Sequence, residues 1–134
     1  MNTNDLSAIG EARIEYEAVK RGYGVAIPKA NCKAYDLIVD RDGCLERVQV
    51  KTTQSNGKRI TVAGYSMSKH KNGKKKAVNY KSTDFEWLAI HDVTTDQCYF
   101  IPSDEIRARL YLRIEPSKNN QTKGIRWAKD YISW

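Results

Sequence analysis

YDLIVDRDGCLERVQVK, residues 35–51, is the stretch that decides the fold. Two strand-like runs flank Asp42-Gly43, and this dipeptide is strongly favoured at the two central positions of a type I′ turn. We therefore predict a β-hairpin in which the numbers of opposed residues add up to 85. Asp36 then faces Gln49, and Lys51 joins them because side chains two apart along a strand share a face.

An acid, an amide and an ammonium group on one surface can hold a divalent metal ion and a phosphate. Mg²⁺ prefers oxygen ligands and takes one or two carboxylates, so Asp36 is a candidate ligand. Gln49 can offer a neutral oxygen or orient a metal-bound water. Lys51 can hold the nucleophilic water or the scissile phosphate by charge-assisted hydrogen bonds. A second carboxylate would complete the set, and an upstream helix offers Glu11 or Glu15, which share one helix face.

The remaining patterns predict an α/β (α+β) domain with a central sheet flanked by helices. The first helix is expected over residues 5–21, with Asp5 or Ser7 as its cap and Gly22 or Gly24 at its end. This helix is expected to be amphipathic. One approximate stripe along it comprises Leu6, Ile9, Arg13, Tyr16 and Lys20. Further strands are expected at residues 24–28, 59–67, 76–80, 85–93 and 98–102. A second short helix, DEIRARL, is expected at 104–110 after Ser103, and residues 125–134 are expected to pack back on the body.

The positive charge is concentrated in one part of the chain. Ten of the 23 Lys and Arg residues lie between Arg47 and Thr83, where there is no Asp or Glu. A field of this kind favours a polyanion through charge neutralisation and counterion release, so nucleic acid is the expected partner. We expect residues 58–81 to form a basic β-ribbon or loop extension that contacts DNA.

Length and composition indicate one domain over residues 1–134, with a core at about 5–110, the basic ribbon at about 58–81 and a polar and aromatic C-terminal segment at 116–134. No apolar stretch is long enough to span a bilayer, and no secretory signal is visible, so a cytoplasmic, bacterial-type intracellular protein without membrane contact is expected. The three cysteines have no CxxC spacing, which argues against a disulfide framework and a structural zinc site.

The order of Gly-Glu on an opening helix, Tyr-Asp at a strand start and Gln-Val-Lys on the next strand resembles the PD-(D/E)XK nuclease superfamily, which has the restriction-endonuclease fold. More narrowly, the chain is similar to bacterial group I intron homing endonucleases, which share its small size and the glutamine variant of the motif. The resemblance extends from Gly10 to about Pro102. Tyr35 stands where the family pattern has proline, and Gln49 stands where it has an acid.

The resemblance implies a catalytic set of Glu11, Asp36, Gln49 and Lys51. It implies that Glu11, Asp36 and Gln49 hold Mg²⁺ or Mn²⁺, with Glu15 as the alternative to Glu11. It also implies a metal-dependent cut in double-stranded DNA by a homo-oligomer, a homodimer or a homotetramer. Because Gln49 lacks a negative charge, we expect the helix glutamate to compensate.

These observations lead to a sequence-specific, Mg²⁺-dependent DNA endonuclease as the first hypothesis. The alternatives are a structure-selective nuclease resembling a junction resolvase and a non-catalytic nucleic-acid-binding module whose metal site has decayed. A two-stranded ribbon fits the major groove, where all four base pairs can be distinguished. The expected DNA-contacting residues are Lys58, Arg59, Thr61, Tyr65, Ser66, Ser68, Lys69, His70, Lys71, Lys74, Lys75, Lys76, Asn79 and Lys81, with Tyr80 as a further stacking candidate.

Overall fold

The predicted hairpin forms the middle of a mixed five-stranded sheet. The computed structural model describes residues 1–30, 33–69 and 72–134, although not the side chains of residues 68 and 69. The elements are α1 (Thr3–Lys20), β1 (Gly24–Ala26), β2 (Leu37–Arg41), β3 (Cys44–Thr53), β4 (Arg59–Ala63), β5 (Tyr65–Lys69), β6 (Lys75–Asn79), β7 (Trp87–Asp92), β8 (Gln97–Pro102) and β9 (Arg109–Arg113). The sheet order is β1-β2-β3-β7-β8, and only the β3–β7 pair is parallel.

The register of the β2–β3 hairpin is the one predicted. Leu37 pairs with Val48, and Arg41 pairs with Cys44, so opposed numbers add up to 85. Asp42 and Gly43 have φ angles of 53° and 90°, the two positive values that a type I′ turn requires. Positive φ strains most residues, and Asp-Gly tolerates it.

Helix α1 covers one face of the sheet. It begins after Asn2, whose side chain caps the Asp5 N–H, and ends at Arg21 before Gly22, whose φ is 82°. The predicted N-terminal cap was wrong, because neither Asp5 nor Ser7 caps the helix. At the other end, Gly22 is one of the two residues at which the helix was expected to end. The predicted apolar stripe was wrong. The buried positions are Gly10, Ile14 and Ala18, whereas Ile9, Tyr16 and Val19 are exposed.

The first core cluster lies between α1 and the sheet. Ile14 and Ala18 of the helix pack with Val48 and Val50 of β3, and the C-terminal Trp134 stacks on Phe100 with ring centroids 4.4 Å apart. The C-terminal run therefore packs back on the body. Residues 49 and 51 alternate with the buried valines along β3, so they face away from the helix.

The opposite face of the sheet is covered by the β4–β9 pair. Ile60 of β4 and Leu110 and Leu112 of β9 pack with Leu88 and Ile90 of β7 in a second core cluster. The predicted helix over 104–110 was therefore wrong. A single 3₁₀ turn at Ser103–Glu105 leads into a strand, because Leu110 and Leu112 alternate with exposed residues and pair with β4.

The expected strand over 59–67 is interrupted at Gly64. A Cβ at this position would lie 1.8 Å from the carbonyl oxygen of Arg107, so only glycine allows this approach of the two backbones. β4 therefore pairs with β9, and β5 forms a separate hairpin with β6. The predicted basic ribbon over residues 58–81 is shorter than expected, since its pairing runs from Tyr65 to Asn79. None of the helices in the described part of the chain has the length and hydropathy needed to cross a membrane.

Candidate active site

Asp36 lies just before β2, at the end of an inner strand of the sheet. Its backbone N–H donates to the Val48 carbonyl at 2.8 Å, although Val48 is the register partner of Leu37, so the regular hairpin pairing ends at Leu37. Its Oδ2 accepts two hydrogen bonds of 2.8 Å, one from the Val50 N–H and one from Nε2 of Gln49. Burial raises the pKa of Asp36, against the opposing effects of the Val50 hydrogen bond and the positive charge of Lys51.

Gln49 therefore faces Asp36 as the hairpin register predicted. Its amide nitrogen also donates to the Val50 carbonyl at 3.1 Å. Within the described residues, no protein donor bonds to Oδ1 of Asp36 or to Oε1 of Gln49. The amide thus fixes the carboxylate through one oxygen, while one oxygen on each side chain keeps its lone pairs for another ligand.

Lys51 is half-buried between the sheet and the base of the β5–β6 hairpin. Its Nζ donates to the backbone carbonyl of Tyr65 at 3.2 Å and lies 5.3 Å from the ring centroid of Tyr80. Burial lowers the pKa of Lys51, and the negative charge of Asp36 opposes that shift. The lysine is therefore held by a carbonyl, a ring face and a nearby carboxylate.

Glu11 is the helix carboxylate that is electrostatically coupled to Asp36. Burial raises the pKa of Glu11 first, and the negative charges of Asp36 and Glu15 raise it further. The neighbouring Gly10 explains how the helix comes so close, because a Cβ there would lie 1.8 Å from Oγ1 of Thr52 on β3. Helix and strand meet at this glycine, and Glu11 is the next residue of the helix.

Oxygen donors dominate this cluster. In residues 1–30, 33–69 and 72–134, no three His, Cys, Asp or Glu side chains come together as a metal-binding group. Asp36 instead links the two possible partners, because its charge raises the pKa of Glu11 and its Oδ2 accepts a hydrogen bond from Gln49. Carboxylate and amide oxygens are the ligands that Mg²⁺ accepts, and Mg²⁺ usually takes only one or two carboxylates.

The expected DNA-contacting residues are divided between two elements. Arg59 and Thr61 lie on β4, away from the hairpin, and the Thr61 carbonyl accepts a hydrogen bond from Thr53. Tyr65 and Asn79 are directly opposed at the hairpin base, whereas Ser66, the next residue along β5, points to the other face. Lys58, Lys74, Lys75, Lys76 and Lys81 are exposed. His70 and Lys71, and the side chains of Ser68 and Lys69, lie outside the described residues.

Tyr80 belongs to the site more closely than the sequence suggested. Its ring lies against Lys51 and meets Phe85 edge-on with ring centroids 5.1 Å apart. Burial, with the charges of Asp36 and Asp84, raises the pKa of Tyr80 to about 12. The phenol therefore stays neutral at physiological pH. In the sequence, Tyr80 was noticed because it lies near the end of the span without Asp or Glu. That position predicted only that Tyr80 stacks on DNA bases.

A second group was missed, the arginines around β9. Arg107 and Arg109 are exposed, and with Tyr111 and Arg126 they line a cleft beside this strand. The signal was the alternation in RLYLR, which indicates a strand with one charged face. It was overlooked because the preceding residues favour a helix.

Comparisons with known proteins agree with this arrangement. A family model described as PD-(D/E)XK endonuclease matches residues 1–133. Protein 5.3 of Escherichia phage T7 is 29% identical over 133 residues, which cover 94% of this chain and 99% of the phage protein. The structure of the bacterial homing endonuclease I-Ssp6803I matches with a TM-score of 0.78 and 21% identity, over 98% of this chain and 88% of that chain. The likeness to this structure confirms the restriction-endonuclease-like fold.

Proposed function

Because the chain belongs to the PD-(D/E)XK endonuclease family, we propose that it is a sequence-specific, Mg²⁺-dependent endonuclease that cuts double-stranded DNA. The observation that carries this proposal is the set of hydrogen bonds around Asp36. Gln49 and the Val50 N–H occupy one carboxylate oxygen, and Lys51 stands close enough to oppose the rise in the pKa of Asp36. Acid, amide and lysine thus form one cluster on the inner strands β2 and β3.

The donor set fits a magnesium ion, with Mn²⁺ as a substitute. Asp36, Glu11 and the amide oxygen of Gln49 would hold it, and burial of the two carboxylates leaves them in need of positive charge. When bound, Mg²⁺ supplies Lewis acidity at the phosphate and lowers the pKa of a coordinated water. Glu15 is the weaker candidate, because Glu11 is the carboxylate that the charge of Asp36 perturbs.

The protein side chains divide the remaining work. Lys51 offers an ammonium group that can bond a phosphate oxygen or orient the attacking water, and its burial strengthens such a contact because little solvent competes. Gln49 keeps Asp36 in one rotamer by donating to Oδ2. The Tyr65 carbonyl and the Tyr80 ring hold Lys51 at the base of the hairpin until substrate arrives.

Duplex recognition is assigned to the β5–β6 hairpin, whose β6 residues are all exposed. A two-stranded ribbon fits the major groove, where each base pair has a distinct pattern of donors and acceptors. One chain of 134 residues covers only a short target. Cutting both strands therefore requires paired subunits, so we propose a homodimer or homotetramer acting on a pseudo-palindromic site, as a homing endonuclease would.

Cleavage of supercoiled plasmid and of a four-way junction, each in Mg²⁺, Mn²⁺ or EDTA, tests the proposal. With a plasmid that carries a site obtained by selection of cleaved molecules from a random duplex library, we expect linear plasmid in Mg²⁺ and none in EDTA. Lys51→Ala and Asp36→Asn should lose activity, while Lys20→Ala, an exposed lysine on α1, should retain it. Preferential cutting of the junction would favour a structure-selective nuclease. No cleavage of either DNA with either metal would refute both enzymatic hypotheses and leave a binding module.

Sequence specificity requires its own measurement. Selection of cleaved molecules from a random duplex library reports the length and symmetry of the target together. We expect a pseudo-palindromic consensus, and an absence of consensus among efficiently cleaved molecules would contradict the proposed specificity.

A further inference from the structure

The nine arginines fall into two groups. Arg13, Arg21, Arg41 and Arg47 form salt bridges with carboxylates and lie on α1 or on the hairpin strands β2 and β3. In the described part of the chain, the other five have no carboxylate partner. These five are Arg59, Arg107, Arg109, Arg113 and Arg126, and all lie on the β4–β9 layer or beside it. The protein therefore neutralises its arginines on one side, and on the other side it leaves Arg59, Arg107 and Arg109 exposed without a carboxylate.

The outer face of the β4–β9 pair carries no acidic residue. Its six positions are Arg59, Thr61, Ala63, Arg109, Tyr111 and Arg113. Arg59 is directly opposite Arg113, and like charges in opposed positions of an antiparallel pair destabilise it. The guanidinium of Arg59 lies 5.0 Å from the Tyr111 ring centroid, which holds it at the surface. A bound anion would relieve the repulsion between the two arginines.

The cleft beside this face gathers further positive charge. Arg107, Arg109 and Arg126 line it together with Tyr111. Arg126 donates to the backbone carbonyl of Glu105 at 2.7 Å, so its side chain is anchored without losing its charge. We call this cleft and the outer β4–β9 face, with their five arginines and Tyr111, the arginine surface.

The arginine surface is continuous with the base of the β5–β6 hairpin. The Gly64 N–H donates to the Ala108 carbonyl at 3.0 Å, and the Gly64 carbonyl accepts from the Tyr80 N–H at 3.1 Å. One residue therefore joins β9, β4 and the hairpin that holds Lys51. A phosphate backbone that runs along the hairpin base reaches Arg107 and Arg109 next.

We propose that the arginine surface binds the phosphate backbone of duplex DNA beyond the hairpin and so lengthens the footprint of each subunit. The inference rests on the proposed DNA substrate and adds a second contact region to it. Guanidinium groups suit phosphate because their planar donors can bond two oxygens at once. Contacts to phosphate fix the register of the protein on the duplex, while the hairpin remains free to read bases.

The test is the salt dependence of binding to a fluorescent duplex of about 30 base pairs with arbitrary sequence, measured in EDTA so that no strand is cut. The variants are Arg107→Ala/Arg109→Ala, the charge-conserving Arg109→Lys, and Lys20→Ala as the matched control on α1. Each lost phosphate contact should reduce the slope of log K against log salt by about 0.9 and weaken binding about eightfold at 0.1 M salt. We therefore expect the double variant to lose about two contacts, and Arg109→Lys and Lys20→Ala to keep the wild-type slope. Thermal unfolding confirms that each variant is folded.

Three results would overturn the inference. The first is an unchanged salt slope of binding in the double variant together with a reduced slope in Lys75→Ala on the hairpin. This result would remove the arginine surface from the DNA interface and leave the proposed nuclease function standing. The second is an equal loss in Lys20→Ala, which would indicate a general charge effect. The third is a change in sedimentation without a change in slope, which would make this surface an interface between copies. If the wild-type protein neither binds duplex nor cuts plasmid, the proposed function fails together with the inference.

Discussion

Replacing Gly10 with alanine should damage the enzyme at a helix position where this substitution normally stabilises. A Cβ at residue 10 would lie 1.8 Å from Oγ1 of Thr52, and ordinary contact begins near 3.4 Å, so either the Thr52 side chain rotates or α1 withdraws from β3 by up to about 1.6 Å. Overpacking of this kind costs about 1–3 kcal/mol, and the gain in helix propensity returns only about 0.5–1 kcal/mol. We expect a net loss of about 0–2.5 kcal/mol in the free energy of unfolding.

The effect on cleavage should be larger than the effect on stability. Glu11 follows Gly10 and would move with the helix, away from Asp36. A displacement of about 1 Å in a catalytic group can cost about 100-fold in rate. Single-turnover cleavage of supercoiled plasmid in Mg²⁺ and guanidinium unfolding in EDTA measure the two effects separately.

Two further variants isolate the packing contact. Ser7→Ala changes an exposed residue of the same helix and should leave both measurements near wild type. Gly10→Ala/Thr52→Ala removes Oγ1 and leaves only a 3.0 Å contact with the Thr52 Cβ, so it should recover most of the lost activity. Oγ1 of Thr52 has no hydrogen-bond partner in the described part of the chain, so its removal breaks no such bond. A Gly10→Ala protein that is more stable than wild type and cuts at the wild-type rate would refute the reasoning.

Four other variants test the polar cluster. Gln49→Glu replaces a 2.8 Å donor to Asp36 with a second negative charge, so the free energy of unfolding in EDTA should be about 1–3 kcal/mol lower than that of the wild type. Mg²⁺ should recover the difference. Equal stability of the two proteins in EDTA would contradict this expectation. Tyr80→Phe should keep the wild-type rate and pH profile of cleavage, because the phenol has a pKa of about 12 and stays neutral. Tyr80→Leu removes the ring beside Lys51 and should slow cleavage about 2- to 30-fold. Equal cleavage rates for both variants would exclude a role for the ring contact. Asp36→Asn should abolish cleavage yet increase stability in EDTA. The pKa of Asp36 is raised in the folded state, so ionisation of Asp36 destabilises the wild-type protein as the pH rises above the ordinary value of 3.8. The free energy of unfolding of Asp36→Asn should therefore exceed that of the wild type by an amount that grows over this range. A difference that stays constant from pH 3 to 7 would contradict the raised pKa.

The sequence was most informative where local chemistry sets long-range geometry. Asp42 and Gly43 determine the turn, the turn determines the register, and the register brings Asp36 to Gln49 within 2.8 Å. Each step depends on neighbours in the chain, so no tertiary information was needed. Glu11 was also named, but only the resemblance and the structure distinguish it from Glu15, because both carboxylates lie on one helix face.

The errors arose where tertiary contacts override local preference. DEIRARL contains good helix formers, yet the chain pairs Leu110 and Leu112 with β4 because both can be buried there. The helix face was misread because its closest contact is Gly10, which has no apolar side chain to count. The carbonyl of Tyr65 that holds Lys51 is a backbone atom, and no residue pattern encodes it.

Glutamine at position 49 has a physical explanation in the electrostatics of the cluster. Burial raises the pKa of both Glu11 and Asp36, and the negative charge of Asp36 raises the pKa of Glu11 further. A third carboxylate opposite Asp36 would add repulsion and remove one of the two donors to Oδ2, whereas the amide donates to Oδ2 and still offers an oxygen. The amide therefore lowers the cost of holding two partly buried carboxylates before a cation arrives. The corresponding loss is one negative charge toward the metal, which makes Glu11, and hence the Gly10 contact that positions it, indispensable to the proposed activity.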